Sequence, residues 1–254
     1  MQDSFRLLNK YYDKIWVLTI QAAADRRENF ARQFEGLDYE FFYGADKNQF
    51  TIEQVTADNI YNDKLARQHH RYDKCMKHGE IACSWSHKMM YEEMLAKGYE
   101  KVLIFEDDAL PDPEQMARIP VILHEIPEHA DLVWWGWSKN GERNPAGRFK
   151  QFFYHIQHRA GKLKWDDRMI RHLYARPFSG QLKIAGFHDY TYAYAINRHA
   201  AEKLAEKQTP IQYIADNLLA HASTNHWLKG YIVHPAVFLH DMLPDGTHHN
   251  SYIR

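Results

Sequence analysis

The strongest constraint on the fold comes from residues 15–43. Residues 15–20 (IWVLTI) form a short, continuous apolar run, the pattern of a strand buried on both faces. Residues 21–24 turn the chain. Asp25 then opens a helix with Phe30 and Phe34 on one side, since positions four apart share a helical face. Gly36 ends that helix, and residues 39–43 (YEFFY) read as a second strand. Strand, helix and strand in about thirty residues make a βαβ unit, which commits the chain to an α/β fold with parallel strands.

The rest of the chain continues that theme. Residues 46–78 are polar and show little periodicity. A helix is expected over 79–97, with Ile81, Trp85 and Met89 at four-residue spacing and Gly98 as its stop. A third buried strand at 102–105 runs straight into Glu106-Asp107-Asp108, and Pro111 and Pro113 forbid its continuation. A fourth strand covers 131–135 and closes at Gly136. Residues 190–196 (YTYAYAI) alternate like a strand, with a helix after them at 198–207. Thr209-Pro210-Ile211-Gln212 reads as a capping box that starts another helix. Residues 231–239 form a last strand before a polar tail. The expectation is one α/β domain over 1–254, with a Rossmann-like mixed sheet flanked by helices.

Residues 140–180 differ in character. They hold nine Lys or Arg against three acids, in a chain whose formal net charge is −1. They read as a basic insertion or lid. Phe152, Phe153, Tyr154 and Trp165 are interleaved with the cations as surfaces for sugar rings, or as aromatics packed back onto the core. The near balance of 32 basic and 33 acidic residues overall argues against a nucleic-acid binder, because affinity for phosphate backbones comes from excess Lys and Arg. Cys75 and Cys83 are the sole cysteines, too few for a disulfide framework or a CxxC zinc site, and they fit a reducing compartment. No signal peptide is read in residues 1–14, and no apolar run approaches the roughly 18 residues of a spanning helix. A cytoplasmic protein, free or lying on the inner face of the membrane, is expected.

The candidate chemistry centres on Glu106, Asp107 and Asp108. Ligands of open α/β sheets bind beyond the carboxyl ends of the strands, and three adjacent acids there repel one another unless a cation relieves them. A hard ion such as Mn²⁺ or Mg²⁺ takes carboxylate and phosphate oxygens. A solvated acidic turn would show the same letters. The turn after the first strand, from Thr19 and Ile20 to Arg26 and Arg27, suits a pyrophosphate or a base. Asp46 follows the second strand in YGAD and suits a ribose or base edge, or simple turn chemistry. Ser86 and His87, a turn or two into the 79–97 helix, are further candidates for binding the donor, although a lone His is more often structural.

The order of these motifs resembles glycosyltransferase family 25, the lipooligosaccharide and collagen galactosyltransferase family. The resemblance runs from the first strand and Asp25-Arg26 through FFYGAD (41–46) and GEIACSWSH (79–87) to LIFEDDAL (103–110). It resumes at YTYAYAINRHAAEKL (190–204), Ala215-Asp216, HPAVFLH (234–240) and the terminal SYIR. Thr19 and Gln21 depart from the Asn-Leu-Asp-like run usual in the family, and His240 stands where many members carry Gln.

The resemblance implies a GT-A-like nucleotide-sugar transferase fold, a UDP-sugar donor (often UDP-galactose), a divalent metal and inversion at the anomeric carbon. It assigns Asp108 as metal ligand, with Glu106 and Asp107 assisting. His240, or less readily His234, would complete the metal or diphosphate shell. Asp216 is the candidate base, although a helix cap or surface acid would read alike. Of Trp134, Trp135 and Trp137, one or two are expected in the core and the exposed remainder as a sugar platform. The acceptor would be a glycan or glycolipid. Two other readings use the same acids: a metal-dependent phosphohydrolase or nucleotidyltransferase, and a catalytically silent sugar-nucleotide-binding module.

Overall fold

The computed structural model describes residues 1–240; the terminal SYIR of the motif series lies outside them. Helix α1 (Gln2–Tyr11) leads into β1 (Lys14–Thr19), α2 (Ala24–Gln33) and β2 (Glu40–Tyr43), and β1 and β2 pair in parallel, so the predicted βαβ unit forms. The segment expected to be irregular instead holds a 3₁₀ turn (Lys47–Gln49), α3 (Ile52–Ala57) and α4 (Asp63–His69). Helices of two turns or fewer are too short to register a 3.6-residue period. Their starts are set by local caps: Thr51 and Gln54 form a capping box, and Asn62 accepts from the Leu65 N–H.

Next come α5 (His78–Lys97) and β3 (Lys101–Glu106), then β4 (Ala109–Pro111), α6 (Pro113–Met116), α7 (Ile119–Glu125) and β5 (Leu132–Ser138). Gly98 terminates α5 at φ +72°, the left-handed turn that only glycine adopts freely. The basic stretch 140–180 carries α8 (Pro145–Arg159), α9 (Asp167–Arg171) and β6 (Arg176–Pro177), and β7 (Leu182–Ile184) follows it. The chain then forms β8 (Asp189–Asn197), α10 (Arg198–Lys207), α11 (Ala215–Thr224), β9 (Gly230–Val233) and β10 (Phe238–His240).

Two boundaries differ from expectation. Residues 209–212 do not start a helix. Ile211 makes a β-bridge with Tyr61, and α11 begins only at Ala215. The single strand expected over 231–239 is two, because Pro235 has no N–H to continue the ladder. β9 stays in the main sheet, while β10 pairs antiparallel with β4.

The main sheet runs β2-β1-β3-β8-β5-β9-β7-β6. β1, β2 and β3 are mutually parallel, and β8 is inserted antiparallel between β3 and β5. This is the mixed α/β sheet flanked by helices that the sequence implies. Side chains alternate across it. Phe105 and Trp135 join Phe5, Phe30 and Phe34 under α1, α2, α6 and α7. Their neighbours Ile104 and Trp134 join Met90, Tyr91 and Leu219 under α5, α10 and α11. Each such side chain, fully buried, contributes roughly 1.5–3 kcal/mol of transfer free energy. Trp134 and Trp135 are therefore core, as expected of one or two of the three. Trp137 is half-buried and donates its Nε1–H to the Val233 carbonyl at 2.7 Å.

Candidate active site

The carboxyl ends of β1, β2 and β3 open on a cavity of about 320 Å³. The start of α5, the start of β8, the first turn of α11 and His240 complete its wall. Its existence follows from topology: parallel neighbours finish at the same edge, and the loops leaving them must diverge. Thr19, Ile20, Arg26, Asp46, Ser86, Glu106, Asp107, Asp108, Asp216 and His240 all line it. His87 does not. It is 1% exposed behind the wall, with Nε2 3.8 Å from Glu106 Oε1. His234 is also away from the cavity, beside Glu142 at 3.3 Å.

A close approach fixes the floor. A Cβ on Gly44 would lie 2.3 Å from Ser86 Oγ, so only glycine lets the loop after β2 settle on α5. Ser86 Oγ accepts from the Ala45 N–H at 2.9 Å and donates to the Ala82 carbonyl at 2.7 Å. The next residue, Asp46, caps the 3₁₀ turn by accepting from the Asn48 N–H at 2.9 Å. Turn chemistry and a place in the cavity thus coexist in one carboxylate.

The three consecutive acids take different partners. Asp107 is 4% exposed; it accepts from Thr19 Oγ1 at 2.6 Å and pairs with Arg26 Nη1 at 2.8 Å. Burial pushes its carboxyl up to about 7, against the pull of Arg26 and Thr19. Asp108 pairs with Arg26 Nη2 and lies 3.4 Å from His240 Nε2. Burial there would raise the carboxyl, but His240 and Arg26 outweigh it and hold Asp108 below the usual carboxylate range. The same contact raises the His240 imidazole against the opposing effect of its own burial. Asp108 Oδ1 is buried with no hydrogen-bond partner among the described residues, a lone-pair atom of the kind a hard cation satisfies. Glu106 accepts from Thr191 Oγ1.

Behind Glu106 a second cluster forms. The ligand atoms of Cys83, His87 and Glu106 lie within 4.8 Å of one another. His87 Nδ1 meets the Tyr194 hydroxyl at 2.7 Å, and that hydroxyl meets Tyr91 Oη at 3.1 Å, which fixes the ring. Burial pushes the Cys83 thiol well up, so it stays protonated until a ligand displaces the proton. Cys75 and Cys83 are both free.

Asp216 sits in the first turn of α11, after an N-cap at Ile214. It is neither the cap nor a surface acid. It faces the cavity half-buried, and burial pushes its carboxyl up to about 6, with the Tyr190 N–H pulling the other way. Tyr190 and Thr191, at the start of the predicted 190–196 strand, line the same wall. Tyr190 has φ +71°, a conformation with no letter-level signal in YTYAYAI.

Fold and site define an α/β protein with an acidic ligand cavity at the carboxyl ends of its parallel strands. The family model described as Glycosyltransferase family 25 (LPS biosynthesis protein) matches residues 12–219, and the chain belongs to that family. A glycosyltransferase 25 family member of Aedes aegypti is 24% identical over 227 residues, covering 87% of this chain and 32% of that protein. The human procollagen galactosyltransferase 2 is 23% identical over 130 residues, 48% of this chain and 20% of that one. The human inactive glycosyltransferase 25 family member 3 is 22% identical over 205 residues, 78% of this chain and 29% of that one. The chain thus spans about a third or less of the length of these relatives. Among solved structures, mouse xyloside xylosyltransferase 1 aligns with TM-score 0.43 and 11% identity over 91% of this chain and 79% of that chain. Among the described residues no helix is long and apolar enough to cross a membrane.

Proposed function

We propose that this chain is a hexosyltransferase domain of the GT-A type, carrying α8 and α9 as an insertion. It moves galactose, in the first instance, from a UDP-sugar to a hydroxyl of a glycan or glycolipid, as in lipopolysaccharide or lipooligosaccharide synthesis, with inversion. In this reading the protein works in the cytoplasm, free or on the inner face of the membrane. One observation carries this reading: in a family 25 chain, Glu106, Asp107, Asp108 and Asp216 converge with Arg26 and Asp46 on one cavity at the strand ends.

From the cavity wall, Asp46 would take the ribose or a base edge, and Arg26 the diphosphate. Asp108, assisted by Glu106 and Asp107 and flanked by His240, would hold Mn²⁺ or Mg²⁺; its buried, unpartnered Oδ1 fits that task. A bound divalent ion neutralises the charge that develops on the departing UDP. Asp216 takes the proton of the acceptor hydroxyl. With its carboxyl near 6, it is ionised at neutral pH yet basic enough to act, the compromise expected of a general base.

The test is UDP release from a panel of UDP-sugars, with a thermal-shift series of the same donors with and without Mn²⁺, because a ligand of the native state raises its apparent stability. Donor-dependent stabilisation with UDP release supports transfer. Stabilisation with no turnover on any acceptor would leave a silent binding module, against which the intact Glu106-Asp107-Asp108 run and Asp216 speak. No response to any nucleotide sugar sinks both.

A further inference from the structure

Helix α8 rests on the protein by one side only. Gly147, Gln151 and Tyr154 face inward, and the Tyr154 ring meets Trp165 edge-on at 5.7 Å. The opposite side is apolar and uncovered: Phe149 is 72% exposed, Phe152 62%, Phe153 48% and Ile156 47%. At the helical 3.6-residue period these four occupy an arc of about 100°, centred opposite the buried face. Single exposed apolar residues are ordinary, but four contiguous ones mark a contact surface.

The charge around this face selects the occupant. Arg148, Lys150 and Arg159 flank it on the helix, Lys162 follows in the next turn, and α8 contains no acid. A second copy meeting the same face about a two-fold axis would set these cations against one another. The face is a convex ridge, whereas grooves that take peptides are concave. A deformable, anionic, apolar-cored surface fits both the ridge and its charge. The helix is also tied to the cavity wall. Lys139, just before it, pairs with Asp189, and Asn140 Nδ2 donates to the Phe187 carbonyl at 2.5 Å; β8 then supplies Tyr190 and Thr191 to the wall.

We propose that α8 is a membrane-docking helix that seats the protein on an anionic bilayer. Phe149, Phe152, Phe153 and Ile156 enter the boundary between headgroups and acyl chains, and Arg148, Arg159 and Lys162 meet lipid phosphates. The inference deepens the reading above by assigning its membrane face, and it rests on that reading only for the idea that the acceptor is lipid-linked. Docking itself needs no transfer.

The experiment is flotation of the whole chain with vesicles of phosphatidylethanolamine and phosphatidylglycerol, and separately with phosphatidylcholine alone. The parent should float with the anionic vesicles, less so as salt rises. Phe149→Ser/Phe152→Ser/Phe153→Ser should lower partitioning at least about a hundredfold, since each buried ring contributes roughly a factor of ten. Arg148→Gln/Arg159→Gln/Lys162→Gln should lower it about a hundredfold on anionic vesicles and leave phosphatidylcholine binding unchanged. All six residues are exposed, so both variants should keep the parental melting temperature and UDP affinity. Undiminished flotation of the serine variant overturns the proposal, as does a parent that ignores vesicles and self-associates through this face in light scattering. A protein that floats as expected but binds no UDP-sugar would sink the transferase reading and leave the docking helix standing.

Discussion

The backbone N–H of Tyr190 donates to Oδ2 of Asp216 at 3.0 Å, from a residue held at φ +71°. A bulky L-residue adopts this left-handed conformation at a cost of about 1–2 kcal/mol. Ordinary strand geometry would aim that N–H along the ladder instead of toward α11. The distortion links the first residues of β8 to the first turn of α11, two elements 26 positions apart, and orients the carboxylate in the cavity wall.

Replacement of Asp216 by Asn keeps the shape and the acceptor for the Tyr190 N–H, but an amide cannot take a proton at neutral pH. Turnover should fall roughly a hundredfold or more, in line with general-base contributions, while UDP affinity barely changes. In the parent, the rate should rise with pH through about 6, where the Asp216 carboxyl ionises, and then level off. A pH–rate profile of kcat for parent and variant checks this. Normal turnover in the Asn protein would place the base elsewhere.

The same carboxyl makes an opposite prediction for stability. Its folded value near 6 lies above the ordinary aspartate range, so the folded state holds the proton more tightly than the unfolded one. The stabilisation this gives is complete below pH about 4 and lost as pH rises through about 6. Asp216→Asn removes the cost of burying the charge and should therefore melt later than the parent at pH 8, by about 1–2 kcal/mol after allowing for solvent screening. The difference should vanish near pH 4. Thermal melts across that range decide it, and an Asn variant that melts earlier at pH 8 refutes the burial argument.

Strand β3, the acids that follow it and the long helix α5 were legible because each carries a long or sharply bounded signal: an apolar run, a four-residue period, a glycine stop. Short elements were not. α3 and α4 are read as loop because six or seven residues cannot display a period. Thr209-Pro210 looked like a helix start by local chemistry, but pairing of Ile211 with Tyr61 overrode it. Within the site, residues fell onto one cavity because strand ends gather there. The sequence could not say that His87 stands behind Glu106, nor that Arg26 bridges Asp107 and Asp108, since both depend on which way side chains leave distant elements.

That bridge bears on metal binding. In the structure Arg26 neutralises the two aspartates, so a divalent ion must compete with a fixed guanidinium. Under the proposed function, EDTA or Asp108→Ala abolishes most transfer while the fold persists, because Asp108 lies past the end of β3 and outside both core clusters. Arg26→Gln should tighten Mn²⁺ by about tenfold, as a like charge a few ångströms away is removed, and weaken UDP binding. Calorimetric titration with Mn²⁺ and then with UDP separates the two effects. Full activity in a chelator would end the metal reading.

The tightest packing constraint in the site is the contact between Gly44 and Ser86. A methyl group at position 44 would lie 2.3 Å from Ser86 Oγ, 2.6 Å from its Cβ and 2.8 Å from Leu18 Cδ1. Ser86 cannot retreat, because α5 is packed against the sheet and its hydroxyl already joins the Ala45 N–H to the Ala82 carbonyl. Gly44→Ala should therefore displace the loop that carries Asp46, with a stability loss of about 1–3 kcal/mol for overpacking. Donor affinity should fall with it, since Asp46 and Asn48 line the cavity. Ser86→Ala should cost less, about 1 kcal/mol for the lost hydrogen bonds, and should not rescue the double variant, because the Cβ clash remains. Denaturant melts and UDP titration of the single and double variants test the order. An unperturbed Gly44→Ala protein would show that the loop after β2 is not held by this contact.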